Sequence, residues 1–519
     1  MGTYLNPGNS SYNLVTLKNT FVDKSLLIEY TNKLFTTDDR YLCVSRPRRF
    51  GKSTDANMLV AYYSKGANSK DIFDHLNISK AESFTKHLNK HNVIYMNMQR
   101  FLSRSNDEQN IIDVLTDSIT EEIQDKYDNI DYSKINNLSV VFEKIYNKYD
   151  ERFVFIIDEW DCVFRSITKE DYHLFLDFLR DLLKDQPYVE LAYMTGILPI
   201  KKYGTQSALN MFREVSMIDP SIYSKFMGFT EEEVKELCIK FNMNFEYMQR
   251  WYNGYHLSDD ISIYSPRSVV YALHDHKYGN YWTSTETYES LAKYINYNFD
   301  GLKDSVIALL SGDNVKVDTG SFLNDMTTFK SKDDVLTLLI HLGYLGYDST
   351  NKEVYIPNYE VTDSFIQSIK NTPWDYVTPA LLNAENTLQA IWNQDEEAVA
   401  AYIQQAHLDT SIIKYNSEAA LEYTLCLALY TAKNYYTEVK ELPAGRGFAD
   451  IAFIPIGDKP AMIVELKWNQ EVETALTQIK NKQYPASLEA YKDNLLLVGI
   501  NYNKDTGEHI CKIEEYHDK

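Results

Sequence analysis

The segment Ser45-Arg-Pro-Arg-Arg-Phe-Gly-Lys-Ser-Thr54 places a glycine, a lysine and two hydroxyls in four consecutive positions. Gly51 admits close approach of backbone to a phosphate. Lys52 supplies a cation for the β- and γ-phosphates, and Ser53 offers a hydroxyl to Mg²⁺. A helix opening there adds free N–H groups and a favourable dipole. The expected nucleotide-binding residues are Arg46, Pro47, Arg48, Arg49, Phe50, Gly51, Lys52, Ser53 and Thr54. Arg46 stands where the GxxxxGK[ST] pattern has its first glycine, so spacing alone leaves a basic surface turn as the alternative. The counterpart is Phe153-Val-Phe-Ile-Ile-Asp-Glu159, an apolar run ending in two acids. Asp158 is the expected Mg²⁺ ligand and Glu159 the residue that polarises the attacking water. Thr195 is either a γ-phosphate sensor or an ordinary strand-end threonine. Arg48, Arg49 and Arg213 are candidates for an arginine finger, and a residue from a neighbouring subunit serves equally well.

A second constellation lies near the C-terminus. Asp450 sits in Gly445-Arg-Gly-Phe-Ala-Asp-Ile-Ala-Phe, and Glu465 and Lys467 sit in Ala461-Met-Ile-Val-Glu-Leu-Lys-Trp. A hairpin turned at Gly457-Asp458 puts Asp450 opposite Glu465, with Lys467 on the same sheet face. Two such carboxylates repel unless a divalent cation sits between them. A lysine beside them orients or helps deprotonate a water, which is the chemistry of phosphodiester hydrolysis. Glu418 or Glu422, on an amphipathic helix expected over Ser417 to Ala432, reaches the same metal. Gln478 on a following helix supports the lysine or a phosphate. The plain alternative is a cross-strand salt bridge. Against it, both acids have apolar neighbours in sequence, and burying a carboxylate without a partner is costly.

These side chains need elements to hold them. Apolar runs predict strands at Tyr41 to Ser45, Val93 to Met98, Phe153 to Asp158 and Leu191 to Gly196. Helical patterns lie between them: from the Gly-Lys-Ser turn to Tyr63, then Ile111 to Tyr127, Ser139 to Tyr149 and Lys169 to Lys184. That alternation implies a parallel sheet covered on both faces. Thr230-Glu-Glu-Glu233 reads as a helix start with a capping box. The block from Trp251 to Tyr281 is aromatic and irregular. Core packing is favoured for Trp251 to Tyr255 over a base-stacking platform. Ser305 to His407 reads as helical, with a hairpin near Tyr344 to Pro357. The stretch from Asp409 to Lys519 reads helix, strand, strand, helix, strand. The expected fold class is α/β: a P-loop NTPase parallel sheet with a helical lid, a helical middle region and an α/β restriction-endonuclease-like domain. The expected divisions are 1–225, 226–300, 301–408 and 409–519.

The whole chain has 519 residues and suits about three or four domains. It is 44% hydrophobic and 24% charged, so it can build ordinary cores. Its net charge of −22 argues against a surface that grips nucleic acid everywhere, but leaves room for one local basic groove. Residues 440–519 carry 10 basic and 13 acidic side chains, close to balance. Five dispersed cysteines without a CxxC pair suggest a reducing compartment rather than a disulfide framework or structural zinc. The polar first residues and the short apolar runs predict no signal peptide, no membrane span and a cytoplasmic location.

Phe21-Val-Asp-Lys-Ser, Arg46-Pro-Arg-Arg-Phe-Gly-Lys-Ser, Ile156-Ile-Asp-Glu-Trp-Asp and Met194-Thr-Gly-Ile recur in order with Gly228-Phe-Thr-Glu-Glu-Glu-Val. Trp251-Tyr-Asn-Gly-Tyr, Tyr264-Ser-Pro-Arg-Ser and Tyr281-Trp-Thr-Ser-Thr complete the series. This set resembles the AAA-ATPase-like family, in which arginine at the first glycine position is usual. The resemblance implies an ATPase core followed by a helical lid. The C-terminal run resembles the PD-(D/E)xK nuclease superfamily. It implies Asp450 as the first acid, Glu465-x-Lys467 as the ExK motif, and Glu418 as the favoured helix glutamate. The leading expectation is an ATP- and Mg²⁺-dependent nuclease, with Mn²⁺ an option at the nuclease site. DNA is favoured over RNA as partner, and a homo-oligomer is admitted. The alternatives are a nucleotide-driven regulatory switch whose nuclease-like domain only binds nucleic acid or a protein, and a structural interaction protein without catalysis.

Overall fold

The computed structural model describes residues 2–517 except 106–109, 133–134, 166–168, 201, 204–205, 208, 259–260, 283–287, 298, 325, 327, 371–376, 409–423, 445–446 and 482–483. Its described residues form two compact units. The first is Met1–Ser284 with Asn314–Val361, and the second is Thr285–Asp313 with Thr362–Lys519.

The first unit is built on five parallel strands: β1 (Tyr41–Ser45), β2 (Asn92–Asn97), β3 (Phe153–Asp158), β4 (Val189–Gly196) and β5 (Arg213–Val215). Their order across the sheet is β2-β3-β4-β1-β5. Alternate side chains feed two separate cores. Cys43, Phe155, Ile157 and Met194 join one, while Val44, Val154, Ile156 and Tyr193 join the other. Both faces are therefore dry, which is why these strands read as unbroken apolar runs. Helix α1 (Lys52–Tyr63) follows β1 directly. The order places the carboxyl ends of β1, β3 and β4 side by side, where a parallel sheet presents its ligand crevice.

Helix α2 (Glu231–Phe241) starts in the capping box expected from sequence. Thr230 accepts from the Glu233 amide, and the Glu233 carboxylate accepts from the Thr230 amide at 2.7 Å. The block expected to be irregular instead contains the antiparallel strands Tyr255–Ser258 and Ile261–Tyr264. Tyr252 and Tyr255 are buried, and Trp251 packs against the same core as Tyr252, so these rings form interior rather than an open stacking platform. The expected later hairpin is present, with Gly346–Asp348 paired to Glu353–Tyr355. Helix α3 (Tyr359–Lys370) follows.

The second unit carries a mixed sheet of β6 (Tyr436–Ala444), β7 (Gly447–Pro455), β8 (Ala461–Trp468), β9 (Leu495–Asn503) and β10 (Glu508–Glu515), in that order. Only the β8–β9 pair is parallel, and α4 (Val472–Asn481) supplies its crossover. The sequence reading missed β6 and β10. It placed the β7–β8 turn at Gly457-Asp458, whereas the connection occupies residues 456–460. The register is the expected one: Ile451 faces Val464 and Phe453 faces Met462. Much of the helix expected over 417–432, including Glu418 and Glu422, lies outside the described residues.

Candidate functional sites

Gly51 is the N-cap of α1 and has φ +91°, a left-handed conformation that glycine adopts without steric cost. Nothing lies within 4 Å of a Cβ placed there, so backbone conformation and not space requires the glycine. Lys52 follows it, buried, and its ammonium donates to the carbonyls of Arg46 at 2.9 Å and Pro47 at 2.8 Å. Burial lowers its pKa to about 8, opposed by the negative charges of Asp161, Asp158 and Glu159. The lysine thus lies in the field of the acids that end and follow β3. Ser53 is exposed at the first turn of the helix. Arg46 is fully buried and donates to the Ser45 carbonyl at 3.0 Å, so its guanidinium belongs to the protein interior. Desolvation lowers its pKa to about 10.

Asp158 ends β3 fully buried, and both its oxygens are held by neighbouring strands. Thr195 on β4 donates to Oδ1 at 2.6 Å, and Asn97 on β2 donates to Oδ2 at 3.3 Å. Thr195 is therefore committed to the acid in this structure. Glu159 has φ +57°, unusual for a side chain of its kind and common at functional turns. Asp161 accepts from the amides of Ile197 and Leu198, each at 3.1 Å, and so ties the turn after β3 to the segment after β4. Sequence reasoning gave no role to Asn97 or Asp161. Asn97 carried a signal, since it lies near the end of the strand expected over Val93 to Met98. Of the finger candidates, Arg48 is exposed, Arg213 donates to Ser221 at 3.0 Å, and Arg49 donates to main-chain carbonyls of Tyr281 and Trp282.

In the second unit Glu465 lies opposite Gly499 of β9. A Cβ on Gly499 would meet Ala475 Cβ at 3.0 Å and the Val472 carbonyl at 3.3 Å, so this glycine lets α4 lie close on the sheet. Ala461 and Ile463 share that helix-covered face, while Met462, Val464 and Leu466 fill the opposite core. By strand alternation Glu465 and Lys467 are on the α4 side. Glu465 is 1% exposed; its Oε1 accepts from Lys467 Nζ at 3.0 Å and from the Gln478 amide on α4. Its Oε2 is buried without a hydrogen-bond partner among the described residues. Asp450 accepts from the Leu466 amide at 2.7 Å. Burial raises the Glu465 pKa, and the nearby Asp450 charge raises it further against the pull of Lys467. An orphaned carboxylate oxygen beside a second carboxylate suits a divalent cation. Among the described residues no group of three or more His, Cys, Asp or Glu is placed to hold a metal; Glu418 and Glu422 lie outside those residues.

No curated protein matches the chain. Thirteen chains of solved structures do. One is a Walker-type ATPase of Pyrococcus abyssi, 14% identical, with a TM-score of 0.35, covering 66% of this chain and 94% of its own. Residues 8–205 match the family model described as "Predicted AAA-ATPase", and residues 419–512 match the PD-(D/E)XK nuclease superfamily. The chain joins an AAA-ATPase-like domain to a C-terminal domain of the PD-(D/E)XK nuclease superfamily.

Proposed function

We propose that the chain binds and hydrolyses ATP with Mg²⁺ at Lys52, Ser53, Asp158 and Glu159, and cleaves phosphodiester bonds of nucleic acid, DNA before RNA, at Asp450, Glu465 and Lys467. The observation that carries the nuclease half is the buried Glu465 carboxylate, with one oxygen on Lys467 and Gln478 and the other without a partner among the described residues. A divalent cation, when bound by Asp450 and Glu465, supplies positive charge at the scissile phosphate. Lys467 adds its own cation beside that phosphate. Gln478 fixes the rotamer of Glu465. At the nucleotide site Asn97 and Thr195 hold Asp158 in one orientation, and Glu159 orients the attacking water.

A second reading is favoured by one observation, the ion pair of Lys467 with Glu465 at 3.0 Å, which neutralises that carboxylate without a metal. On that reading the C-terminal domain binds nucleic acid without cutting it. The two separate in one experiment, in which purified protein is incubated with labelled DNA and RNA, with and without ATP, in Mg²⁺ or Mn²⁺. Metal-dependent cleavage that vanishes in both Asp450→Ala and Glu465→Ala supports the first reading. Binding without cleavage under every condition supports the second.

A further inference from the structure

The tip of the phosphate loop is seated inside the first unit. Phe50 is fully buried and lies edge-on to Tyr255, with ring centroids 5.2 Å apart. A Cβ on Gly343 would stand 2.8 Å from Pro47 and 2.9 Å from Trp282, so the loop and the 282 segment pack against the same glycine. Arg49 occupies the left-handed region at φ +72°, which is unfavourable for a residue with a Cβ. Its guanidinium donates to the carbonyls of Tyr281, at 3.0 Å, and Trp282. The amides of the same two residues donate to one carboxylate oxygen of Glu360, at 2.7 and 2.9 Å. Glu360 is 1% exposed and takes a further hydrogen bond from Ser268. The peptide joining 281 to 282 therefore lies between the Glu360 carboxyl on its N–H side and a loop cation on its C=O side, and the ionised carboxyl strengthens the Arg49 hydrogen bond through it.

We infer that Glu360 is a positioning residue for the nucleotide loop: through the Tyr281 and Trp282 peptides it holds Arg49, and with it the loop, in the left-handed conformation that presents Gly51 and Lys52. Glu360 touches no phosphate. It acts through Arg49, whose strained backbone persists because the clamp holds its side chain. This inference rests on the proposal that the loop binds nucleotide.

The test is titration of a fluorescent ATP analogue into the full chain and its variants, with thermal melting to confirm folding. Lys52→Ala reports on the underlying proposal and should lose binding. Glu360→Gln keeps the shape but removes the charge opposite Arg49, and at about pH 8, where Glu360 is ionised, should weaken binding about tenfold. Arg49→Ala loses the clamp and retains the backbone cost, so it should weaken binding about tenfold or more. Arg49→Gly loses the clamp but adopts positive φ freely. It should bind more tightly than Arg49→Ala, an order that mere loss of packing or of a phosphate-binding cation does not produce. If Lys52→Ala loses binding while a folded Glu360→Gln binds as wild type, or if Arg49→Gly binds no better than Arg49→Ala, the clamp is wrong and the nucleotide site stands. If Lys52→Ala binds as wild type, both fall. Should Glu360→Gln fail to fold, the Arg49 pair decides alone.

Discussion

Single residues carry the sharpest expectations for the nucleotide site. Glu159→Gln should leave ATP bound while lowering turnover by about 10²–10⁴, since only water activation is lost. A burst-free steady-state assay beside an equilibrium binding measurement checks both halves, and unchanged turnover would exclude Glu159 as the base. Glu360 yields a prediction of a different kind. Burial raises its carboxyl pKa from an ordinary 4.5 to about 7, against hydrogen bonds from Ser268, Tyr281 and Trp282 and the charge of Arg49. Tyr252, Tyr255 and Tyr281 also face it, and these tyrosines stay neutral across this range. The folded state holds the proton more tightly than the unfolded chain. The stabilisation is full below about pH 4.5 and is lost as pH rises through about 7. Wild type should therefore lose about 2–3 kcal/mol relative to Glu360→Gln between about pH 5 and pH 8, read by denaturant melts. A pH-independent difference between the two would place the proton elsewhere. Sequence gave no sign of Glu360, because its partners are 78 and 79 residues away in the chain. Lys52 and Asp158 were legible because a phosphate loop and an acid-ended strand are local patterns.

At the scale of elements, what the sequence revealed depends on burial. The strands β1 and β3 match their expected ranges to the residue, because central strands are apolar throughout. Of the two five-stranded sheets, the strands that were missed, β5, β6 and β10, are all edges. An edge strand buries less, and β10 alternates buried and exposed positions over only eight residues. β6 also contains Pro443, which reads against a strand and is tolerated at an edge. The Asp450–Glu465 juxtaposition was legible although the turn was drawn too short, because a hairpin widened evenly on both sides keeps its register. The contribution of α4 was foreseen only as support by Gln478. The close contact at Gly499 that brings the helix in is a long-range fact. Gly499→Val should force α4 away from β9, destabilise the chain by about 1–3 kcal/mol, and withdraw Gln478 from Glu465. Cleavage should fall further than Gln478→Ala alone produces, since helix displacement also disturbs the Glu465 rotamer. Equal stability and cleavage in Gly499→Val and wild type would show that the helix position is not set there.

The chain passes between its two compact units three times. Residues 314–361 return to the first unit after 285–313 have joined the second. No linker composition marks these passages, since packing and not local preference decides them. Two of the three lie beside the clamp in sequence. The chain leaves the first unit at Ser284–Thr285, just after Trp282, and again at Val361–Thr362, just after Glu360. If the clamp proposal holds, a nucleotide that reshapes the loop at Arg49 would act on Trp282 and Glu360, which precede these two passages in the chain. Coupling is a difference in free energy between states, typically about 1–3 kcal/mol, or about 5- to 150-fold in an equilibrium. Nuclease cleavage should therefore differ between ATP, a non-hydrolysable analogue and no nucleotide. Because the proposed route runs through the clamp, Glu360→Gln should shrink that difference while leaving metal binding at Asp450 and Glu465 intact. Cleavage rates identical in all three nucleotide states would remove the case for gating. A nucleotide effect of full size in Glu360→Gln, measured at saturating ATP, would keep gating but route it away from Glu360.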